Sequence, residues 1–462
     1  MSRTLSSQTP DHIGETVTIN GWVHAKRDHG KVLFIDLRDR AGLLQVVTGP
    51  WNPEIYTALK AASPEDVLEI SGEIAKRPDK LINPDIVSGV VELQAQSAVI
   101  LNPSQVPPFE VNQDTAGIDE ELRLKYRYLD LRSERMHQNI TRRATVIRFI
   151  RSFMDEHGFI EVETPLLTAS SPEGARDYLV PSRVDKGRFY ALPQSPQQYK
   201  QLLMVAGIER YYQIVKCLRD EDSRGDRQPE FTQLDMELSF TTQEEILQLN
   251  EKLFTQLVTE LYPHKHVSQI PWPRLTYAES IEKYGTDKPD LRVDKTNPDE
   301  LAFAWITDFP LFEWNETEGR IEPMHHMFTM PRPEDLPLLD SDPTKVIGQL
   351  YDMVCNGFET ASGSIRIVDQ AIQSKVFSII GLEETEARRK FGHMLEAFSY
   401  GAPPHGGIAP GIDRLMMILQ NEPNIREVIA FPKTGEGRDP MMQAPALVEQ
   451  KQLDELGLQI KR

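Results

Sequence analysis

The sequence predicts an α+β protein in two parts, a small N-terminal β-barrel and a larger unit in which strands and helices alternate. Three observations carry that prediction. From Thr16 to Val99, short alternating runs rich in β-branched residues follow one another with turns between them. A proline-rich stretch, NPSQVPPFEVNQDT from Asn102 to Thr115, then breaks the pattern and reads as a linker. Beyond it, helical spacing and strand-like runs mix along a chain of 462 residues and 52.7 kDa, too long for one ordinary core.

The barrel comes first. Its strands are expected at TVTINGWVHA, KVLFIDLRD, LLQVVT, DVLEISGEIA and GVVELQAQSAVIL. Five strands in under 100 residues match the strand count of an OB-fold, which commonly binds single-stranded nucleic acid, although a purely structural barrel fits the pattern equally. We place this domain at residues 1–101, a linker or hinge at 102–130, and the second domain at 131–462. Within the latter, Val146, Phe149, Ile150 and Phe153 fall at helical spacing, and Gly158 sits where that helix would stop. Another helix is expected to start at Thr242, whose hydroxyl can cap while Glu245 reaches back. YYQIVKCL and EFTQLDMELSF read as neighbouring strands joined by a charged loop.

Composition narrows the function classes. With 39% hydrophobic residues and no apolar run near the roughly 20 residues a membrane helix needs, no bilayer span is expected. The N-terminus has no apolar secretory core, so a cytosolic protein is expected. Cys217 and Cys355 are the two cysteines and lie apart from any zinc spacing, which suits a reducing compartment. A net charge of −19 argues against sequence-blind coating of nucleic acid, DNA included, but leaves room for local RNA contacts at basic clusters such as Lys26, Arg27 and Lys31.

Two arginine elements carry the chemistry. The loop RDEDSRGDRQPEFTQ places Arg219, Asp220, Glu221, Arg224, Arg227, Gln228 and Phe231 in one hairpin. In GIAPGIDRLMMIL a glycine-rich turn, with Gly411, Ile412 and Asp413, delivers Arg414 to the start of an apolar helix. No P-loop and no GxGxxG occurs, so a nucleotide would be held by guanidinium groups, which bind phosphate bidentately and stack on adenine.

These segments resemble a known family. GFIEVETPLLT with Pro165, the hairpin from RDED to ELSF, and GIAPGIDRL look like motifs 1, 2 and 3, in order, of a class II aminoacyl-tRNA synthetase. The resemblance implies an antiparallel sheet flanked by helices, a homodimer through motif 1, and an anticodon-binding OB domain of the aspartate, asparagine and lysine subgroup. SPEGARDYLVPSR, QSPQQYKQLLM, QLDMELS and GSIRI closely resemble the bacterial aspartyl members. By that match Lys200 and Arg366 bind the side chain of L-aspartate, Glu173 and Asp235 face its ammonium, and Ser195 and Gln197 complete the pocket. His325 and His326 resemble the segment that closes over the amino acid.

The same resemblance assigns the nucleotide. Arg219 would bridge the attacking carboxylate and the α-phosphate of ATP, Arg414 would hold the γ-phosphate, and Phe231 would stack on adenine. Asp220, Glu221, Gln228, Glu359 and the Gly411–Arg414 turn are implied around it, with Asp352 and Glu359 as magnesium (Mg2+) carboxylates. On the barrel, Arg27, Phe34 and Gln45 match anticodon-reading positions. His29 stands where enzymes specific for tRNA-Asp usually carry Leu, which implies charging of tRNA-Asn as well; the alternatives are a tRNA-Asp-specific enzyme and a neutral substitution. The bacterial enzymes usually carry about a hundred further residues between motifs 2 and 3, and here YGTDKPDLRVDKTNPDELAFAWITDFP passes across that point with almost nothing between. Competing readings are an asparaginyl or lysyl enzyme, an RNA-binding regulator that has lost catalysis, and an amide-forming ligase, which would not need the barrel.

Overall fold

The structure, a computed structural model, describes residues 3–170 and 174–461. Glu173 lies outside them. The chain divides into two compact units after Arg135.

In the first unit, β1 (Thr16–Asp28), β2 (Leu33–Asp39), β3 (Gly42–Thr48), β4 (Val67–Lys76) and β5 (Val91–Asn102) close a barrel in the order β1-β2-β3-β5-β4. All five expected strands form, each within a few residues of its predicted bounds. Alternation explains the closure: Leu33, Ile35 and Leu37 of β2 point inward and are buried, while Phe34 and Asp36 face outward. A helix at Pro53–Ala61, between β3 and β4, has no counterpart in the sequence reading. Its signal was present, since Pro53 stands in the first turn and Ile55 and Leu59 are buried four residues apart. The expected linker contains two short helices, Glu120–Lys125 and Arg127–Asp130.

The second unit is built on an eight-stranded sheet. Its order is Arg274–Thr276, Phe303–Thr307, Leu350–Cys355, Phe358–Ile365, His405–Ile408, Glu230–Ser239, Arg210–Leu218 and Ile160–Glu161. The ladder is antiparallel except at its two edges, where Arg274–Thr276 and Ile160–Glu161 pair in parallel. Helices cover it. The helix Glu134–Glu156 buries Val146, Ile150 and Phe153 on one face and stops before Gly158 at φ +75°, although it starts earlier than the apolar stripe indicated. The helix Gln243–Leu261 opens with the expected capping box, Thr242 accepting from Glu245 N and the Glu245 carboxylate accepting from Thr242 N. It packs Leu253, Phe254 and Leu257 into a core shared with Trp272, Phe303 and Trp305 of the sheet side. Trp272 stacks on Phe303 at 4.4 Å between centroids. No helix among the described residues is long and apolar enough to cross a membrane.

Candidate active site

The central strands carry the site. The hairpin strands Arg210–Leu218 and Glu230–Ser239 pair in register from Arg210↔Leu238 to Leu218↔Glu230, so Asp235 and Glu237, two apart, share one face. Both are fully buried. Lys200, on the helix Gln197–Val205, reaches them with Nζ 2.7 Å from Asp235 Oδ1 and 3.4 Å from Glu237 Oε2. Arg366 grips Glu237 bidentately, Nε to Oε1 at 2.8 Å and Nη2 to Oε2 at 3.0 Å. Room for this comes from Gly407, which pairs with Glu237 across the ladder, because a Cβ there would lie 2.1 Å from Glu237 Oε2.

Two cations and two carboxylates thus form one buried cluster. The two acids nevertheless differ. Burial pushes the Asp235 carboxyl up despite Lys200 beside it. Burial also opposes charge on Glu237, but Arg366 and Lys200 outweigh it and hold that carboxyl at about 2. Among the described residues, Asp235 Oδ2 has no hydrogen-bond partner, and neither has Gln197 Nε2. Both residues line a cavity of about 940 Å³, so the unpaired acceptor and donor are offered to a ligand. His326 closes the cluster. Its Nε2 accepts from Arg366 Nη1 at 2.8 Å, and burial together with Arg366 lowers its pKa well below the usual value, keeping the ring neutral. Ser195 lines the same cavity, and its hydroxyl accepts from Gln197 N at 3.3 Å.

The other end of the cavity is the arginine end. Arg219 lies over the Phe231 ring at 5.1 Å, with its Nε buried and unpartnered. Arg414 donates from Nη1 to Glu359 O at 2.7 Å and pairs with Asp226 at 3.1 Å. Glu221 pairs loosely with Arg227 at 3.5 Å, and Gln228 accepts from Lys433 N while its Nε2 stays unpartnered. Asp352 and Glu359 stand on adjacent antiparallel strands. Asp352 meets His325 Nε2 at 3.3 Å, and its buried Oδ1 has no hydrogen-bond partner among the described residues. Burial raises the Asp352 carboxyl, whereas for Glu359 the neighbouring Arg414 and Lys288 outweigh burial and lower it.

Not every expected residue turns toward the cavity. The Ile412 side chain is fully buried in the hydrophobic core. Asp413 borders the cavity but spends its carboxylate on the protein, accepting from Thr232 N at 2.7 Å and from Arg143 at 2.5 Å, which locks the glycine-rich turn to the hairpin. Gly411 joins in, its N donating to Thr360 O at 2.8 Å. Asp220 lies beside Arg176, to whose carbonyl its own N–H donates. Two residues were not singled out from the sequence. Glu237 had the alternation Asp-Met-Glu as its signal, and Lys288 pairs with Glu359 at 3.2 Å.

On the barrel, Arg27 pairs with Phe34 and Asp36 with Gln45 across the ladders, so these four share the outer face. Arg27 is bidentate to Asp36 at 2.6 and 2.9 Å, Gln45 donates to Glu92 at 3.0 Å, and His29 stands edge-on to Phe34 at 5.8 Å.

A cavity with a carboxylate-and-ammonium end and an arginine-and-aromatic end, on an antiparallel sheet, in a chain that also carries a five-stranded barrel, defines a class. The family profile of class II tRNA synthetases (D, K and N) matches residues 119–435, and that of the OB-fold nucleic acid binding domain matches 17–101. The chain belongs to the class II tRNA synthetases of the D, K and N group and is an aminoacyl-tRNA ligase. Among its relatives is the aspartate–tRNA(Asp/Asn) ligase of Rubrobacter xylanophilus, 47% identical with 99% of this chain and 97% of that protein covered. The aspartate–tRNA ligase of Staphylococcus carnosus is 39% identical, with 98% of each covered. The alignment with the Rubrobacter protein runs over 582 positions against 462 residues here, so at least 120 positions have no counterpart in this chain. That accords with the missing insertion. Asparaginyl-tRNA synthetase from Pyrococcus horikoshii, solved with asparaginyl-adenylate, shares the fold with a TM-score of 0.75 at 20% identity, over 92% of this chain and 96% of that one.

Proposed function

We propose that the protein activates L-aspartate with ATP and transfers it to the 3′ end of tRNA-Asp and of tRNA-Asn. The observation that carries the amino-acid choice is the buried set Lys200, Arg366, Asp235 and Glu237. A side-chain carboxylate meets two fixed cations there, and the unpartnered Asp235 oxygen accepts the ammonium. Asparagine brings an amide instead, leaving a buried cation short of a partner, which costs on the order of a hundredfold in selectivity. Lysine would set its ammonium against Lys200 and Arg366.

In the reaction an α-carboxylate oxygen of aspartate attacks the α-phosphorus of ATP and pyrophosphate leaves. The terminal hydroxyl of the tRNA then attacks the mixed anhydride carbonyl, and AMP leaves with the electron pair. Arg219 stabilises the charge that develops between carboxylate and α-phosphate, Arg414 holds the far phosphate, and Phe231 supports adenine. Asp352 and Glu359 fit Mg2+, since a buried, unpartnered carboxylate oxygen beside a second acid suits a cation that also uses phosphate oxygens. Bound there, the ion supplies neutralisation of phosphate charge.

The relatives named for tRNA(Asp/Asn) and the His29–Phe34 contact on the barrel support the dual tRNA reading. The Staphylococcus relative, named for aspartate and tRNA without that pair, keeps a tRNA-Asp-specific enzyme as the second reading. Motif 1 supports a homodimer: Ile160 on an edge strand, with Leu166 and Leu167 after it, is half exposed. Such an enzyme works in the cytosol with ATP and tRNA. The deciding experiment is aspartate-dependent exchange of pyrophosphate into ATP, followed by charging of purified tRNA-Asp and tRNA-Asn separately. Exchange that proceeds equally with asparagine refutes the amino-acid choice, and absent charging of tRNA-Asn refutes the dual one.

A further inference from the structure

The segment from Tyr277 to Asn297, between motifs 2 and 3, does more than join them. The helix Tyr277–Tyr284 ends at Gly285 with φ +70°, and Ser280 Oγ donates to Thr286 O at 2.7 Å. Thr286 Oγ1 in turn accepts from Lys288 N at 3.1 Å. Asp290 clasps Arg292, which donates onward to Asn297 O at 3.1 Å, so the segment is tied down by its own polar groups. It rests on the turn at Gly357, where a Cβ would lie 3.5 Å from Asp290 Cβ and 3.9 Å from Lys288 O. That turn joins the strands carrying Asp352 and Glu359. Lys288 is thereby aimed at Glu359, Nζ 3.2 Å from Oε2, while Arg414 Nη1 stands 4.0 Å from Oε1.

Two features bear on the role of this lysine. Glu359 is its sole ion-pair partner among the described residues, and the pair is about one-third exposed, hence weak and easily exchanged. Beside it, the Asp352 oxygen is buried without a partner, the mark of a site built for a further cation. A lysine ammonium is a compact charge on a flexible stem, suited to moving between carboxylate and phosphate.

We propose that Lys288 is a nucleotide-phosphate-binding residue that rests on Glu359 in the unloaded protein, holding the place of a divalent cation, and passes to a phosphate oxygen when cation and nucleotide arrive. The proposal rests on the ATP-site reading above. It is tested on the full chain with Lys288→Met and Lys288→Arg. Mn2+ alone, followed by electron paramagnetic resonance, should bind Lys288→Met about tenfold more tightly than the unaltered protein, because Glu359 is freed. ATP titrated calorimetrically with Mg2+ should bind that variant about tenfold more weakly, and Lys288→Arg should restore most of the loss. Unchanged Mn2+ affinity overturns the placeholder role, and unchanged ATP affinity overturns the phosphate role. If Lys288→Met fails to melt cooperatively, Lys288→Gln replaces it. Pyrophosphate exchange by the unaltered protein is run alongside: no exchange there means the ATP-site reading fails, whereas normal exchange with indifferent variants means only the role of Lys288 fails.

Discussion

The two ends of the cavity hold their arginines differently. At the amino-acid end, Arg366 is buried, bidentate to Glu237 and part of a cluster in which every charge has an opposite neighbour. At the nucleotide end, Arg219 keeps an unpartnered nitrogen and Arg414 leans on two backbone carbonyls, on Asp226 and, more distantly, on the Glu359 carboxylate. On the function proposed above, the first arrangement is preorganised for one small ligand, and its buried pairs are part of what holds the protein together. On the same reading the second receives a large anion. The comparison teaches that stability and activity should separate along the cavity.

The largest effect is expected from Arg219→Ala, which should lower aspartate-dependent pyrophosphate exchange by about a thousandfold. Chemical denaturation should show little change, because among the described residues the arginine rests on the Phe231 ring and has no ion-pair partner. A large stability loss would erase the contrast between the ends. Lys200→Met should lower kcat/KM for aspartate by about a hundredfold and narrow the preference over asparagine, and here stability should fall too, since two buried carboxylates lose their shared ammonium.

The sharpest comparison lies within the cluster. Glu237→Gln should cost about 3 kcal/mol at neutral pH by breaking a buried pair. Because its carboxyl is held at about 2, that contribution is present above the unfolded value near 4.5 and drains away as pH falls toward 2. Unfolding curves of variant and unaltered protein should therefore converge over that interval. Asp235 has the opposite sign: its raised pKa gives a contribution present below the unfolded value and lost as pH rises through the folded one. Asp235→Asn should thus cost less stability than Glu237→Gln at neutral pH, yet abolish measurable aspartate binding by calorimetry. The smallest effect is expected on the barrel. Asp36→Ala releases Arg27 from an exposed pair and should change stability by less than about 1 kcal/mol, leaving exchange intact and altering only the KM for tRNA.

Local pattern was enough for the barrel strands, the capping box at Thr242 and the hairpin at 210–239, because each is decided by neighbours in sequence. The helix Pro53–Ala61 escaped because its two buried residues are too few to outweigh the strand rhythm around it. The site divides likewise. Arg219 and Arg414 stand out in motifs, whereas the weight of Glu237 depends on Arg366, 129 residues away, and that of Lys288 on Glu359, 71 residues away. Pairing over such distances is fixed by strand order, which spacing alone does not reveal. Asp413 shows the converse: it stands in the arginine-bearing turn, but its carboxylate faces Thr232 and Arg143.

Gly407 bears on anyone who would redesign this protein to load a different amino acid. The floor beneath Glu237 has no space for even a methyl group, and Met236 O lies as close to the missing Cβ as the carboxylate does. Directed evolution can vary the walls, Lys200 and Gln197 among them, but a library randomised at position 407 would return glycine. New substrates must be accommodated from above that floor.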